Sequence, residues 1–231
     1  VFVRLTGCPL RCQYCDSEYA FSGGTMMSLE DITQQVQDLG VAHVTVTGGE
    51  PLAQPNAIGL MQRLIDTGLF VSLETSGALS VEKVPAAVVK VLDLKTPGSN
   101  ESHRNLWTNL QYLTPQDQIK FVLCGRGDYD WARMRCDEHD LYTRVGDVLF
   151  SPSHHELAPR DLADWIVADR LPVRMQMQMH KFNSKARLRL VTPVSVTIRP
   201  LGLVQSSPYL HFLFQPVKLK LKQNHLVSMS C

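Results

Sequence analysis

The chain has 231 residues, 44% of them hydrophobic and 19% charged, and a formal net charge of +1. That is enough to bury one sizeable core, and nothing in the balance marks residues 1–182 as a nucleic-acid binder. No apolar run reaches the roughly 18 to 20 residues of a membrane span, and the start lacks a basic region followed by an apolar one, so a cytoplasmic protein with no membrane partner is expected.

Val1-Phe2-Val3-Arg4-Leu5 is β-branched and apolar and stops at Gly7, which predicts a strand running into a cysteine-rich loop. Beyond it, Ser28-Leu29-Glu30-Asp31 has the form of a capping box, with Ile32, Val36 and Leu39 at helical spacing and Gly40 as the stop. Alternation follows. Strands are predicted at Ala42–Val46, Leu69–Leu73, Val88–Leu94, Gln118–Leu123, Asp147–Phe150 and Pro172–Gln178. Helices are predicted at Ala57–Asp66, Ser102–Leu113, Tyr129–His139 and Pro159–Asp169, the last with Pro in its first turn. The class is α/β, and seven strands with fewer full helices point to an open or partial (β/α) barrel. In such folds active sites gather at the carboxyl ends of the strands. There the sequence puts the cysteine loop, Thr47-Gly48-Gly49-Glu50-Pro51, Glu74-Thr75-Ser76-Gly77 and Asp93-Leu94-Lys95, after the first four strands in turn.

Cys8, Cys12 and Cys15 have the spacing C-x3-C-x2-C, while Cys124, Cys136 and Cys231 are scattered. This is not a disulfide framework and fits a reducing compartment. A structural zinc site takes four protein ligands, and a four-iron cluster normally takes four cysteines, so three leave one iron open. A zinc-binding or redox-active loop is the alternative that the spacing allows. Gly48-Gly49 lets backbone approach a ligand closely, and Glu50 can accept hydrogen bonds from an ammonium; alone, the four residues would also suit an ordinary turn.

With Tyr14 directly before its last cysteine, the loop resembles the cluster loop of the radical S-adenosylmethionine (SAM) superfamily. The resemblance implies a radical SAM partial barrel with a 4Fe-4S cluster on Cys8, Cys12 and Cys15. Its open iron would hold the amino and carboxylate groups of SAM, and one electron would yield a 5'-deoxyadenosyl radical. Gly48–Pro51 then resembles the motif for the SAM amino group. By the same carry-over Tyr14, Cys15, Asp16, Gly49, Glu50, Ser76, Asp93, Leu94 and Lys95 would contact the cofactor.

Phe2–Cys8, Cys15–Phe21, Phe150–Leu157 and Gln176-Met177-Gln178-Met179-His180-Lys181 resemble, more narrowly, the 7-carboxy-7-deazaguanine synthases, over about residues 1–182. What this implies is ring contraction of 6-carboxytetrahydropterin with loss of ammonia, on the route to queuosine. Arg4 matches the position that binds the pterin carboxylate, Thr47 and His180 match substrate contacts, and Ser17 matches a hydroxyl ligand to Mg2+. His154 and His155 are expected to be loop or core residues. A flavodoxin-like electron donor and a homodimer are the implied partners. Within the superfamily the alternative is an enzyme that activates glycyl-radical proteins; outside it, a zinc-binding module or an inactive fragment.

Two departures stand out. The family opens with a strand and a Gln-Gly-Glu-Gly turn that touches substrate, so residues ahead of Val1 are expected. From Arg170 to Cys231 there is no Asp or Glu, and residues 183–231 carry +7. That basic tail is expected to stand outside a core spanning residues 1–182, most simply as an out-of-frame extension.

Overall fold

The structure is a computed structural model that describes residues 1–178 and 196–198. Its elements in chain order are β1 (Phe2–Leu5), β2 (Thr25–Met27), α1 (Leu29–Asp38), β3 (His43–Gly48), α2 (Ala57–Asp66), β4 (Phe70–Thr75), β5 (Val89–Leu94), β6 (Gln118–Leu123), α3 (Arg126–Glu138), α4 (Leu141–Arg144), β7 (Asp147–Pro152), α5 (Pro159–Asp169), β8 (Arg174–Met175) and β9 (Val196–Ile198). Every strand pairing is parallel, and the nine strands run β2-β9-β1-β3-β4-β5-β6-β7-β8. Edges β2 and β8 do not meet among the described residues, so the (β/α) barrel is partial and open.

Local chemistry accounts for the helices. The Ser28 hydroxyl accepts the backbone N–H of Asp31 at 3.0 Å and caps α1, whose Ile32 and Val36 face inward. In α2 the buried Ala57, Leu60, Met61 and Leu64 recur at three- and four-residue intervals and form one apolar stripe. These stripes cover one face of the sheet. On that face Val3, Leu5, Val46, Leu73, Leu92, Leu94, Phe121 and Phe150 belong to the hydrophobic core.

The other face is different in kind. Cross-strand partners share a face, and the register couples Arg4 with Thr47, Thr45 with Ser72, and Asp93 with Lys120. Arg4, Thr45, Thr47, Ser72, Glu74, Asp93 and Lys120 therefore make the inner lining of the open barrel, only partly accessible to solvent. Period-2 alternation has divided the strands into a helix-packing side and a chemical side.

Four expectations need correction. Ser102–Leu113 is not a helix but two 3-10 turns, Ser102–Arg104 and Trp107–Tyr112, separated by extended Asn105. The reason is that Asn105 and Asn109 spend their amides on distant backbone, at Lys95 and at Val81, Gly77 and Leu79, which a continuous helix would forbid. The strand at Pro172–Gln178 shrinks to Arg174–Met175, whose register with β7 covers only Leu149 and Phe150. Helix α3 starts three residues earlier than Tyr129. Strand β2 and the segment Val196–Ile198, which pairs with β1 and β2, carry no sequence pattern that announced them.

Candidate active site

The cysteine loop leaves β1 through Gly7, at φ +90°, a conformation that favours glycine. It is tied on several sides. Gly7 N–H donates to the Ala20 carbonyl at 2.8 Å, Gln54 donates to the Thr6 carbonyl at 2.7 Å, and the Arg11 guanidinium donates to the carbonyls of Cys8 and Leu10 at 2.8 and 2.6 Å. The Arg11 N–H donates to Glu101 at 2.6 Å, and Gln13 bridges to Ser99, Asn100 and Glu156. The loop after β5 thus clasps the loop after β1.

Cys8, Cys12 and Cys15 are half-buried and free of disulfides. Burial raises all three thiols, Cys12 to about 11, while the Lys95 charge pulls each of them back. Among the described residues no three His, Cys, Asp or Glu side chains are gathered to hold one metal ion. A four-iron cluster does not ask for that, since each thiolate sits on its own iron.

Gly48 and Gly49 end β3 beside this loop. Gly49 N–H donates to Leu5 O at 3.0 Å and Glu50 N–H to Gly7 O at 2.7 Å. A Cβ on Gly49 would lie 2.5 Å from Gly7 O and 2.9 Å from Cys8 Cβ, and one on Gly48 would overlap the Leu5 carbonyl. Only glycine lets the two loops touch. Glu50 is fully buried, and its carboxylate accepts from Leu52 N–H (3.0 Å), Thr75 Oγ1 (2.8 and 2.9 Å), Ser76 N–H (2.7 Å) and Ser76 Oγ (2.5 Å). Glu50 and Ser76, both predicted for cofactor binding, hence bind one another and lock the ends of β3 and β4.

Where β5 ends, between the end of β4 and the middle of β6, stands a charge cluster. Lys95 Nζ lies 3.0 Å from Asp93 Oδ1, and Lys120 Nζ lies 3.3 Å from Asp93 Oδ2 and 3.7 Å from Glu74. Burial alone would raise Asp93, but the two lysines hold it below the usual carboxylate range. Burial raises Glu74 on balance, Lys120 opposing it. Burial acts to lower Lys95 and Lys120, yet Asp93 more than compensates, so both are raised. Asn105 grips the Lys95 backbone from both sides, at 2.8 Å each.

Arg4 and Thr47 are register partners on the inner face; the guanidinium donates to the Gly48 carbonyl at 3.2 Å and lies over the Tyr19 ring at 5.5 Å. Ser17 donates to Asp16 at 2.9 Å. A cavity of about 250 Å³ separates Gln13–Asp16 from the β7–α5 loop, where Ser153, His154, His155 and Glu156 form the facing wall. The two histidine rings lie 3.7 Å apart between centroids and tilted by 44°, with His155 at φ +73°. Predicted residues from the first, third, fourth and fifth strand ends are thereby brought to one mouth; His180 lies outside the described residues.

Sequence reasoning missed Glu101, Lys120 and Asp128. Asp128, buried in the first turn of α3, accepts from Thr96 Oγ1, Gly98 N–H and Cys124 N–H at 2.8–2.9 Å and so shapes the clasping loop. The available signal was for Lys120, a cation set between Ile119 and Phe121 in a strand that is apolar from Ile119 onward but for it.

Does this loop suit an iron-sulfur cluster with SAM? Among the described residues the loop offers three half-buried thiols without a fourth beside them. The Tyr14 hydroxyl is buried with no hydrogen-bond partner, and Asp93 Oδ1 has the Lys95 ion contact without a hydrogen bond of good geometry. The unpartnered, buried Tyr14 hydroxyl inside the cysteine loop fits a bound polar group there.

Residues 2–95 match the Radical SAM superfamily. The chain is 44% identical over 196 residues to the 7-carboxy-7-deazaguanine synthase of Koribacter versatilis, covering 79% of this chain and 87% of that protein. It is 39% identical to the enzyme of that name from Chlorobaculum tepidum, with coverages of 78% and 83%, and 33% identical to that from Methanospirillum hungatei, with 79% and 76%. Among solved structures, Streptococcus suis SuiB bound to precursor peptide SuiA superposes with a TM-score of 0.58 at 14% identity; the match covers 77% of this chain but only 48% of SuiB, and at that identity it speaks to fold alone.

Proposed function

The chain belongs to the 7-carboxy-7-deazaguanine synthase family of radical SAM enzymes, and from that membership we propose that it converts 6-carboxytetrahydropterin to 7-carboxy-7-deazaguanine with loss of ammonia, a step toward queuosine. What carries the reading is the meeting of the cysteine loop, the Gly48-Gly49 cradle and the Arg4–Thr47 pair on neighbouring parallel strands, in a chain 44% identical to a synthase. When bound, the cluster and SAM supply one-electron cleavage of the sulfonium and a hydrogen-abstracting radical.

The chain's own residues do the rest. Cys8, Cys12 and Cys15 would hold the cluster, each as thiolate. Lys95, whose charge lowers all three thiols, would offset part of theirs. Gly49, flush against Gly7, presents backbone to the methionyl end of SAM, while Glu50 and Ser76 keep that backbone in place. Arg4 offers a two-pronged donor to the pterin carboxylate, and Thr47 beside it a hydroxyl. Ser17 would supply a hydroxyl oxygen to Mg2+, a hard cation that would help to bind and polarise substrate oxygens. Support for a flavodoxin-like donor, a homodimer and a cytoplasmic setting comes from the family and from thiols that must stay reduced. No helix among the described residues is long and apolar enough to cross a membrane.

The test is anaerobic reconstitution with iron and sulfide, followed by assay with SAM, reductant, Mg2+ and 6-carboxytetrahydropterin, with and without a family-type amino-terminal segment ahead of Val1. Formation of 7-carboxy-7-deazaguanine with one ammonia per turnover is expected. A reconstituted protein that cleaves SAM but forms no such product in either form refutes the substrate assignment.

A further inference from the structure

The inner face carries one cation more than the predicted cofactor contacts explain. Lys120, in the middle of β6, faces Asp93 by strand register and stands between two carboxylates, 3.3 Å from Asp93 and 3.7 Å from Glu74. Asp93 is in turn 3.0 Å from Lys95. The order Lys95, Asp93, Lys120, Glu74 alternates in sign and sums to zero. All four side chains are between 10 and 24% exposed, so solvent screens them weakly and each depends on its neighbours for compensation.

Asp93 and Lys95 are the two members that the radical SAM reading puts in contact with the cofactor, and they stand where β5 ends, on the same side as the cysteine loop at the end of β1. The Lys95 backbone is fixed by Asn105, but four methylenes separate that backbone from the ammonium. The remaining restraint is Asp93. Each carboxylate oxygen of Asp93 has its own lysine: Oδ2 serves Lys120, and Oδ1 serves Lys95.

We propose that Lys120 is a positioning residue for the cofactor site: by occupying Asp93 Oδ2 it leaves Oδ1 to Lys95 and so fixes the Asp93–Lys95 pair that the radical SAM reading puts at the cofactor. Without Lys120, both oxygens of Asp93 would compete for one ammonium. Glu74 would lose its cation, and the mouth would become net negative, which disfavours the carboxylate of SAM. This inference rests on the radical SAM reading above.

The experiment uses the reconstituted full chain and its Lys120→Met variant. SAM affinity is read from titration of the reduced-cluster spectrum, alongside iron content and the KM for pterin. Lys120→Met should bind SAM about tenfold more weakly, as expected for loss of one partly buried charged contact, with iron content unchanged and pterin KM shifted less than about twofold. Lys120→Arg should restore SAM affinity to within about threefold. If Lys120→Met does not fold, the charge-balanced Lys120→Met/Glu74→Gln double variant carries the same SAM expectation. Unchanged SAM affinity in a folded variant overturns the proposal, and so does a rise in pterin KM alone, which would make Lys120 a substrate contact. Should the unaltered chain take up no iron or ignore SAM, the radical reading itself falls, and its failure is visible before any variant is made.

Discussion

Glu50 offers the most decisive perturbation, because a residue expected to greet the cofactor is wholly occupied by the protein. Four donors converge on its buried carboxylate: the N–H groups of Leu52 and Ser76 and the hydroxyls of Thr75 and Ser76. In Glu50→Ala the hydroxyls can rotate to other acceptors, but the two backbone N–H groups cannot. Each buried orphan costs about 1–3 kcal/mol, so a destabilisation of about 4 kcal/mol is expected. Glu50→Gln keeps one acceptor oxygen but turns an amide N–H₂ toward donors, and about half that loss is expected. The assay is anaerobic chemical unfolding of the cluster-free chain, followed by circular dichroism, in which no cofactor contact can contribute. A Glu50→Gln chain as stable as the parent, with only SAM affinity reduced, would refute the reasoning and return Glu50 to a purely ligand-binding role.

Other outcomes follow from the same geometry. Alanine at Cys8, Cys12 or Cys15 should each abolish retention of a four-iron cluster, while Cys124→Ala should leave the iron content intact; iron and sulfide analysis after anaerobic reconstitution decides it. Arg4→Ala should lower kcat/KM for the pterin roughly 30- to 150-fold, the value of a charge-assisted contact, with SAM affinity unchanged. Asp169 is held below its ordinary value of 3.8 by the Tyr129 hydroxyl first, then by Arg133 and Arg126. A depressed carboxylate stabilises the fold above its unfolded pKa and ceases to as pH falls through its folded one. Asp169→Asn should therefore be less stable than the parent at pH 7, with the gap closing below about pH 3.8 in an acid titration of thermal midpoints.

Sequence pattern exposed those parts of the fold whose cause is local. Ala57–Asp66, Pro159–Asp169 and Gln118–Leu123 occur with the predicted limits, because an apolar stripe, a proline at the first turn and a run of alternating residues are each written within a few neighbours. The cysteine spacing and the paired glycines were legible for the same reason. Ser102–Leu113 was misjudged because its asparagines answer to Lys95 and Gly77, partners that no window around residue 105 contains.

The site divides along the same line. Cysteines and glycines declare their chemistry by type and spacing, but Glu101, Lys120 and Asp128 act through register and loop contact, and only the assembled sheet reveals which carboxylate meets which lysine. A residue singled out by type and spacing can change meaning in three dimensions. Glu50 accepts four protein donors before any ligand arrives, so its contribution is to hold Ser76 and the glycine turn still. The inner face therefore works as two layers: the thiols stand half-buried and unbonded to one another, while Asp93, Glu74, Lys95 and Lys120 use their charges on one another and Glu50 is satisfied by neutral donors. A binding site that must exclude water around a reactive intermediate benefits from such prior compensation, because charges already paired need no solvent to stabilise them.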